Sequence, residues 1–242
     1  GEGGRLTGID IESVEPQARP RDNSPQALAD FGTATLATYL ELTRTPRERV
    51  DGELLRERLP DYFDLVLGNE IFHARTKGVG PLPMEVALSI GVTGPTLQAT
   101  GLPEDSRSTE PYLKYGELDV EVPVGENGDA YDRFYCLLHR IRVSLDLIDQ
   151  IHDHMPSGPV NSKLPKMVKA PEGATYVRTE NPLGQLGYWL ESDGGRNPWR
   201  LKMRTPSFSN VQAIPYLMRG QLLPDAVSIL GSVFFVVGDI DR

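Results

Sequence analysis

The chain is poor in the residues that hold metals and redox clusters. Of its 242 residues one is cysteine, Cys136, and four are histidine. A single cysteine excludes an internal disulfide, and it excludes an iron–sulfur cluster or structural zinc site built from this chain's cysteines alone, since such sites need two to four thiolates. His152 and His154 are two residues apart, so on a helix their side chains point in different directions. We therefore expect the chain to bind no metal and no cofactor of its own.

The chain also lacks long apolar runs and an excess of positive charge. No apolar stretch reaches the roughly 18 residues that a membrane-spanning helix needs, and the polar, acidic N-terminal residues do not resemble a signal peptide. The formal net charge is −9, which argues against a nucleic-acid-binding surface and against unaided binding to an anionic membrane. We expect a cytoplasmic chain that binds no nucleic acid and meets a membrane only through partners.

Hydrophobic periodicity indicates a chain in which helices dominate. A helical pattern covers residues 61–76, and Pro83 begins a short helix that Gly91 ends. Asp129 is expected to cap the strongest helix, which extends over residues 130 to about 154. The apolar residues of that helix recur on one side and are expected to form its buried stripe. They are Phe134, Leu137, Leu138, Ile141, Leu145, Ile148 and Ile151.

The remaining segments predict irregular structure, a small sheet and a buried C-terminal helix. Residues 91–128 contain many turn-forming residues and no clear period, which is typical of functional or partner-bound segments. Three strands are expected at 174–180, 185–191 and 199–205, with Gly194 and Gly195 in the second connection. Two short helices are expected to close the chain, and residues 226–237 are apolar on nearly all sides, which predicts their burial.

Ordered motifs over most of the chain resemble one known family. They are Asn-Glu-Ile-Phe (69–72), Ala-Arg-Thr-Lys-Gly-Val-Gly (74–80), Gly-Val-Thr-Gly-Pro (91–95), Glu-Pro-Tyr (110–112), Pro-Val-Gly-Glu-Asn-Gly-Asp-Ala-Tyr-Asp-Arg (123–133), Pro-Trp-Arg-Leu-Lys-Met-Arg-Thr-Pro-Ser-Phe-Ser-Asn (198–210) and Gly-Asp-Ile-Asp-Arg (238–242). In this order they resemble the C-terminal part of the D subunit of respiratory complex I, NADH–quinone oxidoreductase. That subunit is a relative of the nickel–iron hydrogenase large subunit.

Part of the family's sequence has no counterpart here. The Gly-Pro-Gln-His-Pro motif is missing, and the family's quinone-site histidine and tyrosine lie in the same missing N-terminal half. Residues 1–50 match nothing in the family and are expected to be poorly ordered, which leaves residues 51–242 as the family-like domain. For that domain the resemblance implies an α+β, mainly helical fold with hydrogenase-large-subunit-like helices and a small antiparallel sheet near residues 174–205.

The resemblance also implies a function within a larger complex. It predicts a core subunit of a proton-pumping NADH–quinone oxidoreductase that is not catalytically competent alone. In the family, other subunits bind NADH and the iron–sulfur clusters, and quinone is the substrate at the chamber beside the terminal cluster of the B subunit. The implied partners are the B and C subunits and the membrane-arm subunits, on the cytoplasmic side of the inner (plasma) membrane, where the chain is peripheral.

The C-terminal residues are the candidate quinone-chamber site. Residue types alone favour a buried helix end with a surface ion pair, whereas the resemblance implies that Val236, Gly238, Asp239 and Arg242 form part of the chamber. Asp239 and Arg242 are three residues apart, so they can pair if the last turn is helical. Many members of the family carry aspartate where this chain has Phe234, which argues against an acidic role at that position here.

A second candidate surface lies on the third strand. Arg200, Lys202 and Arg204 alternate with apolar residues, so they share one face of the strand. They form either a solvated cationic face or a docking face for an acidic subunit surface.

Two other functions fit the same residues. The first is a truncated D-like chain that acts only as a structural or assembly partner, since the N-terminal half of the family is missing. The second is a subunit of a related membrane-bound hydrogenase-like complex with another electron donor. The absence of paired cysteines argues against hydrogenase chemistry itself, but the residues of this chain do not reveal the donor.

Overall fold

The computed structural model describes residues 52–155 and 170–241. The expectations for residues 1–50 and for Arg242 lie outside these ranges. Two helices, α1 (Glu53–Val66) and α2 (Glu70–Thr76), occupy the region predicted as one helix over 61–76. The helix breaks because the Asn69 side chain accepts hydrogen bonds from the backbone N–H groups of Ile71, at 2.8 Å, and Phe72, at 3.2 Å. This cap begins a new helix, so the prediction of a continuous helix was wrong.

Short helices and turns fill the segment before the longest helix. Helix α3 (Met84–Ile90) ends at Gly91, whose φ of 80° is the left-handed conformation that glycine adopts easily, and this confirms the predicted stop. The irregular segment that follows contains two single-turn helices, α4 (Pro95–Gln98) and α5 (Ser106–Thr109). All four residues of α4 are buried. The segment is therefore irregular but well packed.

Helix α6 (Ala130–Asp153) has the predicted cap and length, but not the predicted buried face. The Asp129 carboxylate accepts a hydrogen bond from the Asp132 N–H at 3.0 Å, and His154 follows the last helical residue. Of the predicted stripe Leu145 is buried, most of the others are half-buried, and Ile151 is exposed. The buried residues of the helix are Ala130, Asp132, Arg133, Cys136, Arg140, Val143, Leu145 and Leu147.

Three antiparallel strands form a small sheet in the order β1–β2–β3. They are β1 (Gly173–Asn181), β2 (Gly184–Ser192) and β3 (Arg200–Arg204), which confirms the three predicted strands to within one residue at each end. Tyr176 lies opposite Trp189, and Trp189 lies opposite Lys202, so these three residues form one row across the sheet. The side chains of such a row share one face.

The chain after the sheet differs from the prediction of two buried helices. It forms α7 (Pro206–Asn210), α8 (Ile214–Leu217), α9 (Ala226–Val233) and α10 (Val237–Asp241). Ile229 and Val233 are buried in the main core, but Val227 is 77% exposed and Val237 is 69% exposed. The prediction that residues 226–237 are buried was therefore wrong for one side of this segment. The core itself consists of Val79, Leu82, Ala87, Val92, Leu97, Ala130, Ala213, Leu217, Ile229 and Val233.

Candidate functional site

The C-terminal segment is attached to the turn that follows the sheet. The Asp239 carboxylate accepts a hydrogen bond from the Ser207 N–H at 2.9 Å, and the Asp239 carbonyl accepts one from the Thr205 hydroxyl at 2.6 Å. The Val236 N–H donates to the Ser207 hydroxyl at 3.2 Å. Thr205 and Ser207 belong to the motif at 198–210. Two of the motifs that suggested the family therefore meet in space, and they hold α10 in place.

The predicted chamber residues on this segment differ in their surroundings. Val236 is 48% exposed. A Cβ atom added at Gly238 would meet no heavy atom within 4 Å. Asp239 binds α7, as described above, so its carboxylate orients the segment. Arg242 lies outside the described residues, and its pairing with Asp239 stays a prediction.

Phe234 separates α9 from α10 in an unusual conformation. Its φ of 49° and ψ of 55° are left-handed, which a bulky residue adopts rarely and at a cost. Aspartate is among the residues that tolerate this conformation best. The Phe234 ring is 57% exposed and borders a large apolar cavity. The side chain at this position therefore contributes apolar surface.

Arg133 joins three of the motifs to the C-terminal helix α9. The guanidinium is fully buried and donates to the carbonyls of Gly80, at 3.0 Å, and Gly128, at 2.8 Å. Its Nε donates to the hydroxyl of Ser232 on α9 at 2.9 Å. Nη2 has no hydrogen-bond partner within the described part of the chain. Burial lowers the pKa of Arg133 to about 10, although nearby Asp129 acts in the opposite direction.

The two acids near Arg133 bind backbone rather than the guanidinium. The Asp129 carboxylate accepts from the Gly78 N–H at 2.7 Å, in addition to capping α6. Asp132 accepts from three successive backbone N–H groups, including Glu126 at 3.0 Å and Gly128 at 3.2 Å. These bonds fix the loop at 123–128 against the start of α6. The acids at 129 and 132 thus have structural roles that extend beyond helix capping.

The motif at 91–95 receives the turn between β1 and β2. The Thr93 hydroxyl accepts from the Gln185 N–H at 3.0 Å, and the Thr93 N–H donates to the side-chain oxygen of Asn210 at 2.9 Å. A Cβ atom at Gly94 would lie 2.4 Å from the Leu183 carbonyl oxygen, so only glycine allows this close approach. Sequence reasoning did not find these contacts, because 117 residues separate Thr93 from Asn210.

A cavity of about 640 Å³ lies beside the apolar side of α6. This volume is in the range of small-molecule sites. Its apolar wall includes Phe72, Phe134, Leu137, Leu138, Ile141 and Phe234. These α6 residues belong to the predicted stripe, and they are half-buried because they face this cavity instead of the closed core. Arg107, Arg140 and Glu180 form the polar part of the wall.

The polar part of this wall belongs to a buried charge cluster of Asp105, Arg107, Arg140 and Glu180. Arg107 binds both oxygens of Asp105, at 3.0 and 2.8 Å. Arg140 lies between the carboxylates, 3.3 Å from Glu180 and 3.6 Å from Asp105. Both carboxylates are 2% exposed, so they interact strongly in a medium of low dielectric constant.

The two carboxyls of the cluster have pKa values shifted in opposite directions. Burial and the negative charge of Asp105 raise the pKa of Glu180 to about 7, although Arg140 acts against them. Burial also acts to raise the pKa of Asp105, but the hydrogen bond and charge of Arg107 outweigh it and lower that pKa. Glu180 is therefore the group of this cluster that exchanges a proton near neutral pH.

The structure places the three predicted docking residues on one face of the sheet but gives them different surroundings. Arg204 turns inward, where Nη2 donates to the Gly91 carbonyl at 2.9 Å and Nη1 donates to the Gln185 side chain at 3.4 Å. Arg200 and Lys202 line an open cleft of about 810 Å³ with aromatic walls. Within residues 52–155 and 170–241, no carboxylate lies within 4.0 Å of either side chain.

The described residues hold no group of three or more histidine, cysteine, aspartate or glutamate side chains arranged to bind a metal ion. Cys136 is buried on α6, and burial raises the pKa of its thiol to about 12. None of the helices in the described ranges combines the length and apolar character needed to cross a membrane.

Two overlapping segments of the chain, residues 47–170 and 164–242, match the family of the respiratory-chain NADH dehydrogenase 49 kDa subunit. The chain belongs to this family. The motifs at 69–133 and 198–242 lie within the matched segments, and the predicted resemblance to the C-terminal part of the family's D-type chain is confirmed.

Curated relatives are all named as D-type chains of NADH-quinone oxidoreductase. The relative from Salinispora tropica, numbered D 2, is 52% identical over 200 residues, which cover 82% of this chain and 52% of that protein. The relative from Streptomyces coelicolor, numbered D 1, is 50% identical over 82% of this chain and 53% of its own length. The relative from Bacillus mycoides is 45% identical over 96% of this chain and 68% of its own length. The chain thus spans about half the length of the first two relatives.

A solved structure supports the fold. A chain of the membrane-bound sulfane sulfur reductase, an archaeal respiratory membrane complex, has a TM-score of 0.75 and 37% sequence identity to this chain. The match covers 81% of this chain and 54% of the neighbouring one. The predicted α+β class, mainly helical with a three-stranded antiparallel sheet, is confirmed.

Proposed function

We propose that this chain is a core subunit of a proton-pumping NADH–quinone oxidoreductase and forms part of its quinone-reduction chamber. The observation that carries the proposal is the C-terminal segment. Asp239 and Ser207 hold this segment in one position, while Val236 and Val237 remain exposed. An apolar surface on a fixed backbone suits one wall of a slot for a quinone ring. The opposite wall then comes from a partner subunit, next to that subunit's iron–sulfur cluster.

In this proposal the chain positions quinone and does not carry electrons. NADH oxidation and the iron–sulfur clusters belong to other subunits, among them the B and C subunits, and membrane-arm subunits complete the complex. The chain binds no cofactor and meets the cytoplasmic side of the membrane as a peripheral component. The names of the relatives support an oxidoreductase complex as the setting. Arg242 completes the segment by pairing with Asp239.

Substitutions on the segment test the chamber assignment in an otherwise complete complex. We expect Val236→Met to narrow the slot and to raise the KM for quinone by about tenfold, since a few extra atoms in a closed pocket have effects of this size. Arg242→Ala should loosen the segment and impair quinone reduction. Electron transfer from NADH to an artificial acceptor at the upstream flavin should persist in both variants, because that reaction does not reach the chamber.

The matched control is Val177→Met on β1, where the valine is similarly exposed but lies on the sheet. It should leave both activities unchanged. If the Val236 and Arg242 variants lose both activities together, the segment is needed for assembly, and the structural-partner function is the better one. If neither activity changes, the segment is an ordinary surface end.

A second candidate function is a subunit of a related membrane-bound complex with another redox partner. The neighbouring structure favours it, since that complex is named as a sulfane sulfur reductase. Membranes that contain the assembled complex distinguish the two functions. NADH-driven quinone reduction supports the first, whereas reduction of sulfane sulfur without NADH-driven quinone reduction supports the second.

A further inference from the structure

One face of the sheet carries aromatic and cationic side chains next to each other. Tyr176, Trp189 and Lys202 form one row across the three strands, and Arg200 lies in the next row opposite Glu191. The Tyr176 ring covers Gly187, where an added Cβ atom would lie 2.9 Å from two ring carbons. Trp189 stays 43% exposed and Tyr176 49% exposed. The cleft therefore has flat apolar walls with positive charge at one side.

The positive charge of this cleft is unusual within the described part of the molecule. Several other cations on the surface have acidic partners: Arg56 with Asp146 and Asp149, Arg142 with Glu121, and Lys114 with Glu117. Arg178, on the same face of the sheet as Lys202, is paired with Glu110.

Arg200 and Lys202 have no such partner in the described ranges, although the chain as a whole has a net charge of −9. A pair of free cations beside exposed aromatic rings matches a ligand that has both carboxylates and an apolar side chain.

The size and charge of the cleft favour a protein segment over other anions. Its volume of about 810 Å³ accommodates a few side chains of an extended peptide. A nucleic acid or an anionic membrane presents many negative charges over a wide surface, which the excess of acidic residues in this chain repels. Phe208 and Ile90 on the far side of the cleft add apolar contact surface.

We propose that this cleft binds an acidic segment of a partner protein, with carboxylates at Arg200 and Lys202 and an apolar side chain against Trp189. Arg204 is excluded from the contact set, because it binds Gly91 and Gln185 within this chain. The proposal does not depend on the quinone chamber, since the cleft and the C-terminal segment involve different residues.

Intrinsic fluorescence gives a direct measurement, because the chain has two tryptophans and one of them lines the cleft. In the full chain, Trp199→Phe leaves Trp189 as the single reporter. The probe is a short synthetic peptide with glutamates on both sides of a central leucine, titrated at low salt. Its counterpart has lysines in place of the glutamates. We expect saturable quenching or a blue shift with the acidic peptide and none with the basic peptide.

The double variant Arg200→Gln/Lys202→Gln in the same background should bind the acidic peptide about fivefold more weakly. The matched control is Arg219→Gln, an exposed arginine that is not among the cleft residues, and its affinity should equal that of the parent. Added salt should weaken binding in the parent more than in the double variant. Equal affinity for the two peptides, no binding, or unchanged affinity in the double variant would overturn the proposal. Binding of phosphatidylglycerol vesicles in place of the peptide would also overturn it.

Discussion

Arg133 and Arg140 lie two turns apart on the same side of α6, yet they are accommodated in different ways. Arg133 donates to two backbone carbonyls and a serine hydroxyl, and no carboxylate within 4.0 Å is found in the described ranges. Arg140 lies between two buried carboxylates beside an open cavity. The first arginine joins segments of the backbone, whereas the second maintains a charge balance that depends on pH. The same residue type on one helix face thus serves rigidity at one end and titratable electrostatics further along.

The largest test of this comparison is the loss of Arg133. Arg133→Met keeps much of the apolar volume but leaves the carbonyls of Gly80 and Gly128 without a donor in the core. We expect the free energy of unfolding to fall by about 4 kcal/mol, since each buried unpaired group costs about 1–3 kcal/mol. Urea unfolding measures the change. The control is Arg142→Met on the exposed side of α6, which loses a surface ion pair worth about 0–1 kcal/mol.

A loss of less than about 1 kcal/mol in Arg133→Met would mean that water or a rearranged loop replaces the guanidinium. The two arginines would then not differ in the way proposed above.

The pH dependence of the Arg140 cluster is the second test. The pKa of Glu180 is raised from 4.5 in the unfolded chain to about 7 by burial and by Asp105, so the native carboxyl holds its proton more tightly. The resulting stabilisation is fully present below the unfolded pKa and is lost as the pH rises through about 7. Between about pH 5 and about pH 8 the loss should amount to about 2.5 kcal/mol.

Glu180→Gln removes this ionisation, so the difference in unfolding free energy between the variant and the parent should move by that amount in favour of the variant as the pH rises. Asp105 gives the opposite slope, because its lowered pKa contributes stability that is lost as the pH falls. That contribution is common to both proteins and cancels in the comparison. A difference that stays constant across the pH range would show that Glu180 is ionised throughout.

The smallest expected effect concerns the helix that Arg133 holds. Phe234 follows α9 in a left-handed conformation, and asparagine adopts it at a lower cost than phenylalanine. Phe234→Asn should therefore raise the unfolding free energy by about 0.5 kcal/mol, because the ring is largely exposed and little burial is lost. Thermal unfolding beside Phe208→Asn, an aromatic residue in helical conformation, isolates the backbone term. A clear destabilisation by Phe234→Asn would show that the ring contributes to packing at the cavity.

Parts of the fold were predictable because their signals are local. Asp129 caps α6 and Gly91 ends α3 through contacts with residues a few positions away. The alternation of residues 199–205 predicts a strand whichever partner it has. Asn69 carried a local signal as well, and treating the helix over 61–76 as continuous overlooked it. The motifs identified the family, since the same literal residues recur in order.

The environment of each predicted site residue was much less predictable. Arg200, Lys202 and Arg204 are equivalent in the sequence, but Arg204 is drawn inward by Gly91, which lies 113 residues away. The stripe of α6 was correctly identified as apolar and wrongly placed in the closed core. Composition cannot show which apolar face meets a cavity, because that depends on the elements that pack around the helix.

By itself, then, the sequence determined the helix caps and stops, the three strands, the family and the absence of paired cysteines. These properties depend on neighbouring residues or on residue identity alone. Only the tertiary structure decided that Arg133 binds backbone carbonyls, that Glu180 is buried between Asp105 and Arg140, and that Asp239 holds the C-terminal segment on Ser207. The physical reason is that these contacts join residues far apart in the chain, and their energies depend on burial that exists only after the chain has packed.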